Sequence, residues 1–440
     1  MSAYRECWRL AWPLILANLS VPLLGLVDTA VVGHLPGPHF LAGVALGAVV
    51  VGVLYFLFGF LRMGTTGLCA QALGAGDARE LRAIPVRALM LSTGLGLAIA
   101  LLAWPILAVS EIVFAPGQEV RDSLATYLVI RLLGAPAALG GFVVLGWLLG
   151  VQDSRGPLVL LVVTNAVNAA LALLLVLGLG LGVAGVASAT LVAEYVGLAA
   201  GLLLVWRRWR RIGLGRVRRA EMLVRERFWR LVVVNRDIFL RSAALEASFL
   251  GFAALGSRQG EVVLAANAVL MSFFTFSAYG LDGFAHAAEA MVGKAVGARD
   301  PAGVQAAARA GFGLAAGLAV AMTAAFALGG PALIALLTDL AEVRATALAF
   351  LPFAAALPLV SVWAFVLDGL FFGATRTAEL RNATVAAMLA FAAAALVLPG
   401  PFGNSGLWSA LLILMAARGA FLGLAYWRAG AGAAFARGPA

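Results

Sequence analysis

Read for polarity alone, the chain is a succession of long apolar runs separated by short polar connections. Twelve runs approach or exceed the roughly 20 residues needed to cross a hydrocarbon core about 30 Å thick. They are 10–33, 40–61, 83–110, 125–150, 157–180, 182–205, 231–256, 262–288, 305–331, 344–372, 382–400 and 406–427. The pattern predicts an all-α integral membrane protein with twelve transmembrane helices. A repeat at an offset of 223 residues organises them: LAGVALGAV from Leu41 pairs with LAANAVLMS from Leu264, and QALGAGD, ending at Asp77, pairs with KAVGARD, ending at Asp300. Gly146 and Gly150 pair with Gly369 and Gly373 without a net gap. Six spans return the chain to its starting side, so the two halves form a parallel repeat of two pseudo-symmetric six-helix bundles. The expected domains are an N-terminal lobe, 1–206, a basic linker, 207–230, and a C-terminal lobe, 231–440.

Composition agrees with this pattern. Hydrophobic residues make up 63% of the chain and charged residues 12%, against roughly a quarter charged in a soluble domain. The net charge of +10 does not imply a nucleic-acid partner, because the basic residues fall into alternate connections. One set holds Arg79, Arg82, Arg155, the ten arginines from Arg207 to Arg230, Lys294, Arg299, Arg309, Arg376 and Arg381. The other holds little more than Arg121, Arg258 and Arg344, beside Glu111, Glu119, Asp122, Asp339 and Glu342. By the positive-inside rule both termini lie in the cytoplasm, and the expected location is the inner cell membrane, multi-pass, with the linker held near anionic lipid. Cys7 and Cys69 offer no disulfide framework. The first run reads as a span and not as a removed signal peptide. Prolines within spans, Pro13, Pro22, Pro136, Pro352 and Pro358, are kink candidates.

Carboxylates inside spans are costly and each is a functional hypothesis. Asp28 stands first: it is the sole ionisable residue between Arg9 and His34, roughly 27 Å along the first span from residue 10 at 1.5 Å per residue. Such a group can take a proton from outside and release it inside. Asn165 and Asn168 share one face of the fifth span and Thr190 follows in the sixth; they serve as interhelical hydrogen-bonding groups or, if they face Asp28, as its partners. Glu194 is a further acid in the sixth span. In the second half Glu246 holds a cation or proton or pairs with Arg241, and Asp282, with Tyr279 three residues before it, suits a functional or gating role. Asp368 reads best as an ion pair fixing the tenth helix. His286 and Glu289 have an i, i+3 spacing but lack a second pair of metal ligands. Walker motifs, nucleophile elbows and Cys/His arrays are absent, so the sequence supports neither ATP-driven pumping nor an enzyme and calls for no cofactor.

The segments LAWPLILANLSVPLLGLVDTAVVGHL, FGFLRMGTTGLCAQALG, NAVLMSFFTFSAYGLDGFAHAAEAMVGKAVGARD and LDGLFFGATRT resemble the multidrug and toxic compound extrusion (MATE) family, in particular its DNA-damage-inducible F (DinF) branch. The resemblance covers nearly the whole chain. It implies a twelve-helix exporter of two six-helix lobes that exchanges cationic or amphipathic compounds for protons or sodium. It places the family's first-helix Asp on Asp28, its helix-bending proline on Pro13, its fifth-helix Asn on Asn168 and its sixth-helix Thr on Thr190. The family's fifth-helix Asp falls on Ala172, leaving Asp28 as the acid of that site. The seventh-helix Glu of a sodium-using branch falls on Glu246, whereas its tenth-helix Asp lands near Ser361 and not on Asp368.

The expected activity is therefore secondary antiport with Asp28 as the protonatable carrier, the coupling ion being a proton in preference to sodium. Expected partners are small cationic or amphipathic molecules and membrane lipid, for a protein working as a monomer. Met63, Met271, Phe273, Phe274, Phe276 and Tyr279 are candidate cavity walls. The alternatives are a sodium-coupled exporter and a lipid-linked precursor flippase. A flippase would want arginines in its cavity, whereas the spans read as offering mostly acids.

Overall fold

The computed structural model describes residues 2–33, 35–215, 217, 224–430 and 435, and in the first helix the side chains of 21–24, 26, 27 and 29 lie outside the described set. Residues 216 and 218–223 of the basic linker also lie outside it. Among the described residues the chain is helical throughout, as runs with no water to satisfy backbone groups must be. The first half comprises α1 (Ala3–Gly33), α2 (Pro38–Phe58), α3 (Phe60–Gly74), α4 (Ala78–Leu101), α5 (Ala103–Phe114), α6 (Gln118–Leu132), α7 (Ala135–Gly150), α8 (Arg155–Ala172) and α9 (Gly182–Arg211). The second comprises α10 (Arg225–Ser257), α11 (Glu261–Gly297), α12 (Pro301–Leu337), α13 (Ala341–Gly373), α14 (Thr377–Val397) and α15 (Pro399–Arg428).

Ten helices or merged helices are long and apolar enough to cross a membrane, and the pair α6 and α7, bent by 48°, makes an eleventh. That bend falls beside Pro136, where a missing N–H and the proline ring weaken the helix. Helix α1, 31 residues long, covers about 46 Å at 1.5 Å per residue and completes the twelve. Span three is broken at Leu102, and span five ends in a π-helical turn, Leu173–Gly178, directly after Ala172.

The sequence repeat is built into the backbone. Left-handed φ values occur at Gly76 and Arg299, at Gln152 and Thr375, and at Gly180 and Gly403, each pair one repeat apart. Asp77 and Asp300 each cap the following helix, accepting from the N–H of Glu80 and of Gly303 at 2.9 Å. The paired glycines mark matching close crossings. A side chain at Gly146 would meet the carbonyl oxygen of Arg62 at 2.5 Å, and one at Gly369 would collide with that of Ala285; Gly150 and Gly373 press likewise on the turns holding Thr66 and Glu289. Small residues let apolar helices approach where no hydrophobic force drives them together.

The chain divides into two compact units that do not coincide with the sequence halves. One comprises Leu16–Asn235 and the other Met1–Ile15 with Arg236–Ala440. The first helix of each repeat is thus shared: the start of α1 packs within the second unit, with Trp8 6.1 Å from Phe284, and the start of α10 packs within the first, where Arg227 bonds Glu80. The division of α1 falls two residues after Pro13.

Candidate ion-coupling and substrate site

In the first unit α1, α2, α6 and α9 bring a polar cluster together. Asp28 is half-buried, and its Oδ1 is buried without a hydrogen-bond partner. It lies within the field of Arg131 on α6. Arg131 Nη1 donates to Glu194 Oε1 on α9 at 2.9 Å, with 8% and 13% of the two side chains exposed. The guanidinium carbon sits 5.9 Å from the centre of the Tyr55 ring on α2. Tyr127, one turn before Arg131, interacts with both Arg131 and Asp28. Tyr195 donates its hydroxyl to the carbonyl of Leu133 at 3.1 Å. Two glycines make room: a side chain at Gly47 would collide with the Tyr127 ring, and one at Gly134 with Glu194 Oε2. Arg131 Nε, Glu194 Oε2 and the Tyr55 hydroxyl are, like Asp28 Oδ1, buried without partners. One guanidinium is thus bonded to one carboxylate, Glu194, and acts electrostatically on a second, Asp28.

The neutral groups are arranged beside this cluster. Asn165 Nδ2 donates to Ser20 Oγ at 3.0 Å and to its carbonyl at 3.2 Å, fastening α8 to α1. Asn168 Nδ2 donates to Thr190 Oγ1 at 2.7 Å, and Thr190 in turn donates to Val186 O at 3.2 Å. Among the described residues these bonds run to Ser20 and to one another, not to Asp28. Asn168 Oδ1 keeps a free lone pair in the buried interior. Ala172, where the resemblance places a second acid, is fully buried.

The second unit holds a cluster of the opposite build. Asp368 on α13 accepts from Arg418 Nη2 on α15 at 2.7 Å and from Arg241 Nη2 on α10. All three are buried, Arg241 also facing the Phe372 ring at 5.3 Å. Asp368 is therefore the helix-fixing ion pair expected of it, and Arg241 is committed to Asp368 and not to Glu246. Asp282 is half-buried and acts electrostatically on Arg418 and on Tyr279. Glu246 is half-buried on α10. Ser361 turns its hydroxyl to the carbonyl of Leu357 at 2.7 Å. A separate neutral network joins Asn267 and Asn404 by reciprocal amide bonds of 2.9 and 2.8 Å, with Trp408 Nε1 donating to Asn267 Oδ1 at 2.8 Å. Of the candidate wall aromatics, Phe273 packs on Phe326 at 4.9 Å and Phe274 on Phe249 at 5.5 Å; both are interior packing. Phe276 is exposed.

The reading of the spans as offering mostly acids is corrected here. Arg131, Arg241 and Arg418 are buried in spans; the sequence offers Arg241 only as a partner for Glu246, and Arg131 and Arg418 carry no expected role. Their signal was present: an arginine within an apolar run is as costly as an acid and as strong a functional hint. Arg131 bonds Glu194, whereas Arg241 and Arg418 share the one carboxylate of Asp368. Among the described residues no three His, Cys, Asp or Glu side chains gather as a metal site.

Comparison with known proteins agrees with this architecture. The family profile MatE matches residues 13–174 and 238–397, the two repeat halves. The chain is 45% identical over 430 residues to the DNA damage-inducible protein F of Escherichia coli (strain K12), covering 97% of this chain and 92% of that one. It is 28% identical over 328 residues to the probable multidrug resistance protein NorM of Caulobacter vibrioides, covering 68% and 64%. A solved structure described as MATE in the bent conformation superposes with a TM-score of 0.88 at 21% identity, covering 98% of this chain and 96% of that one. Two bundles of six spans with polar groups held inside define a multi-pass membrane transporter, not an enzyme. The chain belongs to the MatE family, and its likeness to the Escherichia coli protein is that of the DinF branch.

Proposed function

We propose that this protein is a secondary antiporter that exports cationic or amphipathic small molecules, multidrug efflux in the broad sense, in exchange for protons. Asp28 is the carrier in this reading. The observation that supports it is Asp28 itself: a half-buried acid with one oxygen unpartnered, opposite a buried arginine. Taking up a proton at Asp28 removes its pull on Arg131 and rebalances the cluster, and α1, shared between the units at Ile15 and Leu16, is placed to convert that change into movement. The matching relatives are named for drug resistance and DNA-damage induction, which fits small organic cargo. In this reading the basic linker marks the cytoplasmic side, both termini lie there, and the membrane is the inner one.

Exchange of one proton for one monovalent cation moves no net charge, so a pH gradient alone drives it. A neutral substrate would add the membrane potential, about 2.3 kcal/mol per charge per 100 mV. The test is ethidium efflux in everted vesicles under an imposed pH or sodium gradient, wild type against Asp28→Asn. The proposal requires pH-driven transport that falls at least tenfold in the variant. Unchanged transport by the variant removes Asp28 from the coupling, and transport driven by sodium alone makes the ion sodium.

A further inference from the structure

We infer that Glu194 is the counter-charge for the cationic group of the substrate, and that Arg131 decides when that carboxylate is available. The inference rests on the reading of Asp28 as proton carrier and adds the substrate's side of the exchange.

Asp28 acts with Arg131 and Tyr127 from α6; Arg131 and Tyr127 in turn engage Tyr55 from α2 and Glu194 from α9, with Tyr195 also acting on Tyr55. Their charges count simply. With a proton on Asp28, the guanidinium of Arg131 and the carboxylate of Glu194 neutralise each other. With Asp28 ionised, two carboxylates share one guanidinium and a single negative charge is left over. The cluster is neutral either with a proton on Asp28 or with one monovalent cation bound, and carrying both leaves a buried positive charge in excess. Mutual exclusion of proton and cation is what antiport needs.

The geometry says which carboxylate receives the cation. Arg131 is bonded to Glu194 through one nitrogen only, with its Nε, Glu194 Oε2 and Asp28 Oδ1 all unsatisfied. Arg241 Nε, Arg418 Nε and Asp368 Oδ1 of the second unit are unsatisfied too; what sets the Arg131 pair apart is a second carboxylate, Asp28, within the field of its arginine. A guanidinium is a planar fork that can engage either acid. When Asp28 loses its proton, its carboxylate draws Arg131 away and releases both oxygens of Glu194. Glu194 is seated where Gly134 leaves room for its Oε2 and beside the Tyr55 ring that Arg131 covers; an ammonium or aromatic cation replaces the guanidinium over that ring. Reprotonation of Asp28 returns Arg131 to Glu194 and displaces the cargo. The substrate class that fits is a monovalent organic cation with a hydrogen-bonding or aromatic face.

The experiment is ethidium binding to the full-length protein in nanodiscs, followed by fluorescence anisotropy from pH 5.5 to 8.5. Wild type should weaken at least tenfold on acidification. Glu194→Gln should weaken binding at least tenfold at pH 8.5, and Arg131→Gln should bind at every pH as wild type does at pH 8.5, because nothing then masks Glu194. The neutral pair Arg131→Gln/Glu194→Gln, which removes both members of the bonded pair together, should keep near-wild-type thermal stability and still fail to bind. Wild-type affinity in both Glu194 variants, or an unaltered pH profile in Arg131→Gln, overturns the inference. If Asp28→Asn keeps the wild-type pH profile while Glu194→Gln loses binding, the cation site stands and the Asp28 carrier fails.

Discussion

The two units solve the same electrostatic problem with opposite signs. In the first, one arginine, Arg131, bonds one acid, Glu194, and acts electrostatically on a second, Asp28; in the second, one acid, Asp368, accepts from two arginines, Arg241 and Arg418. Neither arrangement is inherited from the repeat. One repeat length from Arg131, Glu194 and Asp28 lie Ala354, Ala417 and Gly251, and one repeat length from Asp368, Arg418 and Arg241 lie Leu145, Tyr195 and Asn18. The backbone kept its symmetry while the buried charges were placed independently. The second cluster has both arginines hydrogen-bonded to its acid and is a fastening. The first leaves Asp28 Oδ1 without a partner, and in the proposed reading its arginine has a choice between two acids, the property a coupling site requires.

The contrast can be broken at its firmest point first. Asp368→Ala would strand two buried guanidinium groups and should destabilise the protein by about 3–5 kcal/mol, read as loss of yield and of thermal stability in detergent. The corresponding loss in the first unit should be smaller and reversible by pairing. Arg131→Gln and Glu194→Gln singly should each cost more than the double variant, with a coupling energy of about 2 kcal/mol in a double-mutant cycle; additive effects would mean the pair carries no interaction.

Neutral networks test the comparison at lower stakes. Asn267→Ala removes three buried bonds to Asn404 and Trp408 and should cost about 1–2 kcal/mol, measured by thermal unfolding, since such bonds in membranes average about 0.6 kcal/mol. Asn165→Ala, which releases Ser20 of α1 from α8, should cost about 0.6 kcal/mol and change transport rate more than stability. A larger loss of stability there would make Asn165 a fastening like its second-unit counterparts.

The spans and the repeat were legible because bilayer thickness sets run length and because a constant offset survives divergence. Even the turn geometry follows it, as Gly76 and Arg299 show. The bend near Pro136 was legible from proline chemistry. The π-helical turn after Ala172 was not, since nothing in LALLLVLG distinguishes it from a regular helix. Asp28 stood out because it interrupts an apolar run alone. What surrounds it did not, because Arg131 and Glu194 reach it from distant segments, and local spacing cannot report which faces of three helices turn toward one another. Glu246 shows the converse: Arg241, five residues away, looked like its partner, yet three-dimensional packing assigned that arginine to Asp368.

The sharing of α1 has a consequence for how the protein is made. Tyr4, Trp8 and Ile15 pack on Gly313, Phe284 and Gly283, which leave the ribosome roughly 270 to 310 residues later, some tens of seconds at typical synthesis rates of about 5–20 residues per second. These residues, made well before their partners, are thus among the last to find their places. Until then the opening of the first span waits in the membrane without its partners, and the nascent first half holds an unfinished helix that only the arrival of the second half completes.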